Sequence, residues 1–120
     1  MANILIVDDS AFARLTLGAI VESAGHEVIG FAENADQAME LYKSRQPELV
    51  LLDYLMPGRS GEEVLKEIML DNPAAKVIMI SGSGDLAIER KALEEGAKVF
   101  LRKPFNRDQI LESIADVMHG

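Results

Sequence analysis

Cysteine and tryptophan are absent from the 120 residues, and aromatic side chains make up only 5% of them. Without thiols there can be no disulfide, no thiolate metal site and no cysteine nucleophile. Positive charge is scarce: 12 Lys and Arg stand against 20 Asp and Glu, for a net charge of −8. No basic stripe is available to neutralise phosphates, which argues against nucleic acid as a direct partner. No apolar run approaches the about 18 residues that a membrane helix requires, and the N-terminus lacks a signal-peptide pattern. The expectation is therefore a cytoplasmic protein with no membrane partner. Linkers, low-complexity tracts and long repeats are missing too. A content of 48% hydrophobic and 27% charged residues is ordinary for a globular chain, and the length suits one domain, 1–120, with a real core.

What is present is organised around Glu48 to Gly61, ELVLLDYLMPGRSG. Leu49 to Leu52 read as a strand buried on both faces, as in a parallel sheet. The strand delivers a carboxylate, Asp53, to its C-terminal end, and Pro57-Gly58 then leaves regular structure. In open α/β sheets, sites lie at the carboxyl ends of strands.

The remainder of the chain repeats that pattern. Asn3–Val7 reads as a strand that ends in Asp8-Asp9-Ser10, where Ser10 or Asp9 can cap the helix that follows. In that helix Ala13, Leu17, Ile20, Val21 and Ala24 recur at helical spacing, and Gly25 is placed to end it in a left-handed cap. Glu27–Glu33 reads as a second strand, and Asn34 caps a helix with Ala35, Ala38, Met39 and Tyr42 on one face. After Pro57-Gly58, Val64, Leu65, Ile68 and Met69 mark a third helix, stopped at Asp71-Asn72-Pro73. Lys76–Ile80 is a fourth strand, and Gly82-Ser83-Gly84 gives the loop after it freedom. Asp85 starts a more polar helix, Lys98–Leu101 is a fifth strand, and Asn106 caps a last helix with Ile110, Leu111, Ile114, Val117 and Met118 inward. Five βα units imply a doubly wound α/β fold, a parallel sheet with helices on both faces. His26 and His119 read as exposed and idle.

At the strand ends the chain collects Asp8 and Asp9, then Asp53, Ser81 and Lys103. Three carboxylates packed together repel unless a cation is present, and oxygen-only ligands favour a hard ion, Mg²⁺ foremost. A lysine and a hydroxyl aimed at the same pocket suit a phosphoryl group. Metal, lysine and hydroxyl together would spread its charge in transfer. The acceptor must then be a side chain, and a carboxylate can serve as nucleophile to form an acyl phosphate. Asp53 fits best, alone on a central strand while Asp8 and Asp9 are paired. Taken singly, each of these residues reads as a capping or loop polar residue; the set overturns that.

At these residues the chain resembles the receiver domains of two-component response regulators, specifically the stand-alone CheY type. The resemblance covers essentially the whole chain and is carried by LIVDDS, LVLLDYLMPGRSG, VIMISG and FLRKPF, in that order and spacing. It implies the flavodoxin-like strand order 2-1-3-4-5 shared by CheY and a cis peptide at Lys103–Pro104. It further implies phosphorylation of Asp53 by a histidine kinase, and Mg²⁺ held by Asp9, by Asp8 through water, by Asp53 and by the Leu55 backbone carbonyl. Ser81 and Lys103 would bind the phosphoryl oxygens, and Phe100 would turn inward as Ser81 is drawn toward the phosphate. The resulting change would be read on the face of helix four, strand five and helix five, with Leu86, Arg90, Lys91, Lys98 and Phe100 as its candidate residues. Departures concern tuning. Leu55 is aliphatic, Ser83 is small, and Phe100 lacks the hydroxyl of the tyrosine found in some chemotaxis members.

The leading expectation is thus a monomeric, phosphorylation-controlled binding switch rather than an enzyme, limited to taking up and losing its own phosphoryl group. With no effector domain or linker after Met118, it would act on partners in trans, the flagellar motor switch foremost. A single-domain phosphorelay intermediate, or a regulator of another enzyme, is the alternative. An aspartyl-phosphate phosphatase would need a second acid two residues after the nucleophile, where Leu55 stands. A flavin carrier would need a hydroxyl-rich loop where Asp8-Asp9 repel phosphate. A scaffold receiver would not need the intact acid set.

Overall fold

LVLLD and VIMIS carry apolar side chains on both faces, and every residue of each is buried, as strands covered by helices on both sides must be. In the computed structural model, which describes residues 1–119, they become the middle of an alternating chain. It runs β1 (Asn3–Val7), α1 (Ala11–Ser23), β2 (Glu27–Ala32), α2 (Ala35–Arg45), β3 (Leu49–Asp53), α3 (Gly61–Asp71), β4 (Val77–Ser81), α4 (Leu86–Glu94), β5 (Val99–Arg102) and α5 (Arg107–His119). All four pairings are parallel, in the order β2-β1-β3-β4-β5. The doubly wound fold and the 2-1-3-4-5 order expected from the sequence are both found.

Because side chains alternate along a strand, the sheet feeds two separate cores. Leu5, Val7, Val50, Leu52, Val77 and Met79 pack with Ala38, Met39, Val64, Leu65, Ile68 and Ala92 of α2, α3 and α4. Ile4, Ile6, Leu49, Leu51, Ile78 and Ile80 pack with Leu17, Val21, Ile110, Ile114 and Val117 of α1 and α5. The helices are not equally embedded. α3 buries Gly61, Val64, Leu65 and Ile68, whereas α4 buries Ala92.

The helix starts are set as the sequence indicates, and Ser60 adds a cap not found from sequence. Ser10, Asn34, Ser60 and Asp85 each accept a backbone N–H of the first turn. Asn106 forms a reciprocal pair with Gln109: the Gln109 N–H reaches Asn106 Oδ1 at 2.8 Å and the Asn106 N–H reaches Gln109 Oε1 at 3.0 Å. Gly25 leaves α1 at φ +88°, the left-handed exit a glycine permits.

Several expectations need correction. β3, β4 and β5 each extend one residue further than the apolar runs, to Asp53, Ser81 and Arg102. The ladder continues past the hydrophobic residues, with Tyr54 N–H donating to the Ile80 carbonyl at 2.9 Å and Lys103 N–H to that of Ser81 at 2.8 Å. β2 stops at Ala32, one residue short of Glu33. Ala24 is exposed, because it is the cap of α1 and lies beyond the inward stripe. α2 ends at Gln46 in the left-handed region, φ 48°, a turn that Pro47 alone did not reveal. His26 is not idle: it is half-buried, and its Nδ1 accepts the Ala2 N–H at 3.0 Å. Burial, aided by the nearby N-terminal ammonium, lowers its pKa. His119 is exposed, as expected.

Leu51 is 1% exposed on a central strand and Leu70 is 85% exposed on α3. Leu51→Ala should cost roughly 3 kcal/mol or more and Leu70→Ala less than about 0.5 kcal/mol, read as shifts in the urea midpoint.

Candidate functional site

The strand ends bring the sequence-predicted acids together. Asp8 directly follows β1, where its N–H bonds the Ala32 carbonyl of β2 at 3.0 Å. Its side chain is 1% exposed. Oδ1 accepts the Ser10 N–H at 2.9 Å and Oδ2 accepts Lys103 Nζ at 3.0 Å. Asp9, one residue on, is exposed. Asp53, the last residue of β3, is buried, with Lys103 Nζ 3.5 Å from its Oδ1. Asp8, Asp9 and Asp53 each offer a carboxylate oxygen, and these oxygens lie within 4.8 Å of one another.

Such crowding disfavours ionisation. Asp53 is pushed from 3.8 up to about 6, first by burial and then by the neighbouring Asp8, with Lys103 pulling the other way. At Lys103 burial pulls the pKa down, but the Asp8 and Asp53 carboxylates outweigh it and the ammonium is held more tightly than usual. A cluster of three converging acids, one of them raised toward neutrality, is the donor set that a hard divalent cation relieves, so the residues fit Mg²⁺.

Ser81 closes the other side at the end of β4 and is fully buried. Its Oγ accepts the Ser83 N–H at 3.0 Å, which leaves its own proton free to donate. The Lys103–Pro104 peptide is cis, as expected. Phe100 on β5 is half-buried and packs on the core beneath α2, α3 and α4. Leu55 lies just past Asp53 with its side chain 60% exposed, and Leu86 on α4 is 65% exposed. Arg90 and Lys91 are exposed on α4, and Lys98 is exposed just before β5, at the opposite end of that strand from Lys103.

Two features of the site were not found from sequence. At Gly61, the first residue of α3, a Cβ would sit 2.0 Å from the Asp53 carbonyl oxygen and 2.8 Å from Tyr54 Cα. The Gly61 N–H meanwhile bonds the Tyr54 carbonyl at 2.8 Å. α3 therefore docks directly on the backbone that carries Asp53, and only a residue without a side chain permits that approach. The signal was available in the glycine that closes the ELVLLDYLMPGRSG stretch, beyond the turn already served by Pro57-Gly58. The second feature is Arg59, which pairs with Asp36 of α2 and with Glu63 and Glu67 of α3, tying the segment after Asp53 to both helices.

A buried acid with two acidic neighbours and a lysine, at the carboxyl end of such a sheet, defines a class. Residues 4–115 match the family model described as the response regulator receiver domain, and the chain belongs to that family. Particular relatives follow. The chain is 42% identical over 115 residues to the chemotaxis protein CheY of Thermotoga maritima, covering 96% of each. It superposes with a TM-score of 0.94 on a chain of the CheX–CheY–BeF₃–Mg²⁺ complex from Borrelia burgdorferi, at 36% identity and covering 97% of this chain and 88% of that one. It also superposes on NtrX from Brucella abortus, with a TM-score of 0.92 at 34% identity, but spans only 27% of that longer chain.

Three outcomes are expected. Gly61→Ala should destabilise the fold by roughly 1–3 kcal/mol through overpacking and weaken Mg²⁺ binding, measured by denaturation and calorimetry. Gly82→Ala, where nothing lies within 4 Å of the added carbon, should be close to neutral. Asp53→Asn should melt several degrees above the wild type in EDTA at neutral pH. A folded-state rise from 3.8 to about 6 corresponds to about 3 kcal/mol at 1.36 kcal/mol per unit. The unfolded chain loses this proton first, so the wild type loses stability as pH rises from about 4 to about 6. The advantage of Asn is then complete above pH 6 and vanishes near pH 4, and millimolar Mg²⁺ should narrow it by raising the wild-type melt.

Proposed function

We propose that this chain, read as one receiver domain over 1–120, is a phosphorylation-controlled signalling switch in which Asp53 accepts a phosphoryl group from a histidine kinase. The observation that carries this reading is the position of Lys103, whose ammonium bridges Asp8 at 3.0 Å and Asp53 at 3.5 Å beside a third acid, Asp9. A structural lysine has no need of three converging acids, and three acids have no structural use for one another.

In the proposed step an Asp53 carboxylate oxygen attacks phosphorus. The P–N bond of the donor's phosphohistidine breaks, its electron pair stays on the imidazole nitrogen, and that nitrogen takes up a proton. Asp53 is mostly ionised above pH about 6, so the nucleophile is available at neutral pH. Asp8, Asp9, Asp53 and the Leu55 backbone carbonyl would hold Mg²⁺, which would supply neutralising charge for the transferred group. Lys103 is placed to exchange a carboxylate for a phosphoryl oxygen without leaving the site. Ser81 offers a hydroxyl proton because its lone pair already accepts the Ser83 N–H. Self-catalysed acceptance and loss of this group is the whole chemistry; no separate substrate turns over.

Drawing Ser81 inward would shift Phe100 and alter the face built from α4, β5 and α5, with Leu86, Arg90, Lys91, Lys98 and Phe100 as its reading surface. A local charge event that biases a bistable element is an ordinary way to build a switch. Chemotaxis is the proposed pathway, and a flagellar motor switch the proposed target. The 42% identity to a CheY over 96% of both chains supports this, as does likeness to a CheY solved with CheX, BeF₃ and Mg²⁺. Among the described residues no helix is long and apolar enough to cross a membrane.

Mass spectrometry after incubation with acetyl phosphate and Mg²⁺ tests the chemistry. A phosphoryl adduct is expected on the wild type and not on Asp53→Asn or in EDTA; an adduct that persists on Asp53→Asn would refute the assignment. Lys103→Ala should keep Mg²⁺ binding while uncoupling phosphorylation from the change at Phe100, followed by NMR of the ring.

A further inference from the structure

Tyr54, Glu62, Lys66, Lys91 and Glu95 form a polar seam between α3 and α4 for which the phosphoryl chemistry has no use. Its centre is Glu62, 17% exposed at the side chain. Its Oε1 accepts Lys91 Nζ from α4 at 3.1 Å and Lys66 Nζ at 3.3 Å. Its Oε2 accepts the hydroxyl of Tyr54, the residue after Asp53, at 3.3 Å. Burial would raise the Glu62 pKa, but the two ammonium groups outweigh it and hold the carboxyl below its ordinary range.

The seam matters because α4 has little else to hold it. It buries Ala92, and on its other side Glu89 pairs with Arg102 of β5 at 3.1 Å. The end of α4 carries a poorly satisfied group as well. Both carboxylate oxygens of Glu95 are buried with no hydrogen-bond partner, and the nearest cation, Lys66, stands at 3.7 Å. A desolvated and poorly paired carboxylate favours release to water. Exposed i,i+4 pairs contribute little, but a half-buried carboxylate that receives three donors from three segments is a different case.

We infer that Glu62 is a positioning residue that latches α4 to Tyr54, so that a change at Asp53 reaches α4 through Tyr54, Glu62 and Lys91. This deepens the switch reading above and rests on it: the latch would hold the resting place of α4, and breaking it would make the altered face easier to reach. The contact runs through the residue next to the phosphoacceptor and is separate from the Ser81–Phe100 route.

Hydrogen exchange on the unphosphorylated chain tests the latch directly, with acetyl phosphate labelling alongside. Glu62→Gln keeps the shape and the Tyr54 hydrogen bond but removes the charge; Lys91→Met removes the partner. Each should speed amide exchange across residues 86–95 roughly tenfold while leaving α1 and α5 unchanged. The double variant should be no worse than either single one, as expected for a shared interaction. Both should also take up phosphate severalfold faster than the wild type. Exchange across α4 within twofold of the wild type, or faster exchange throughout the protein, would overturn the latch. Loosened α4 with an unchanged labelling rate would overturn its link to Asp53. A wild type that accepts no phosphate would instead overturn the switch reading, with α4 exchange still deciding whether Glu62 holds the helix.

Discussion

Lys103 lies between two buried carboxylates, and the architecture of the functional end depends on that contact. Two like charges 4 Å apart repel by roughly 4 kcal/mol at an effective dielectric of 20. Asp8, Asp9 and Asp53 bring three carboxylates within 4.8 Å of one another. On a flexible loop such groups would move apart. Here Asp53 ends β3 and Asp8 directly follows β1, its neighbour in the sheet, so they have nowhere to go. Lys103 offsets part of the repulsion from the end of β5; burial first, and the repulsion that remains second, raise the pKa of Asp53. The site is thus kept short of positive charge by the rigidity of the sheet, which makes it receptive to a cation.

That rigidity is unevenly distributed, and the unevenness has physical causes. On the Asp53 side, α3 touches the strand backbone through Gly61, and Arg59 ties the intervening segment to α2 and α3. β3 and β4 are buried at every position. On the side of α4, burial falls to Ala92 and ion pairs take over from packing. Packed cores resist small displacements, whereas ion pairs between long side chains exchange partners readily. A tightly packed half holds the strand-end acids, and a half held mainly by ion pairs lies next to it.

Most of the tightly packed half was legible in the sequence. Short continuous apolar runs gave the strands and the period-3.6 pattern gave the helices, and Asp8, Asp9, Asp53, Ser81 and Lys103 could be placed at strand ends because a parallel sheet aligns those ends. The exact strand ends were not legible: hydrogen-bond ladders run past the apolar run, so Asp53 and Ser81 proved to belong to their strands. The closeness of Gly61 to the Asp53 carbonyl is a packing distance, and no sequence period encodes it. The seam of Tyr54, Glu62, Lys91 and Glu95 joins residues from three separate segments, each of which reads alone as an ordinary surface position. His26 was misjudged for a related reason, since its partner is the backbone of Ala2, which lies 24 residues away.

The half held mainly by ion pairs also answers an energetic difficulty in the proposed switch. Reversing a two-state population from 1:99 to 99:1 needs about 5.5 kcal/mol of differential interaction. Hydrogen bonds to charged groups contribute roughly 1.5–3 kcal/mol each, so Ser81 and Lys103 together only just reach that figure, and Lys103 must give up contacts with Asp8 and Asp53 to take part. A helix anchored by a deep core would not follow. α4 is anchored by Ala92 and a few ion pairs, and it holds at its end a buried carboxylate that water would solvate better. Its resting position is therefore less firmly fixed by packing than that of α3 or α5, and in the proposed switch a modest gain at Asp53 would redistribute it.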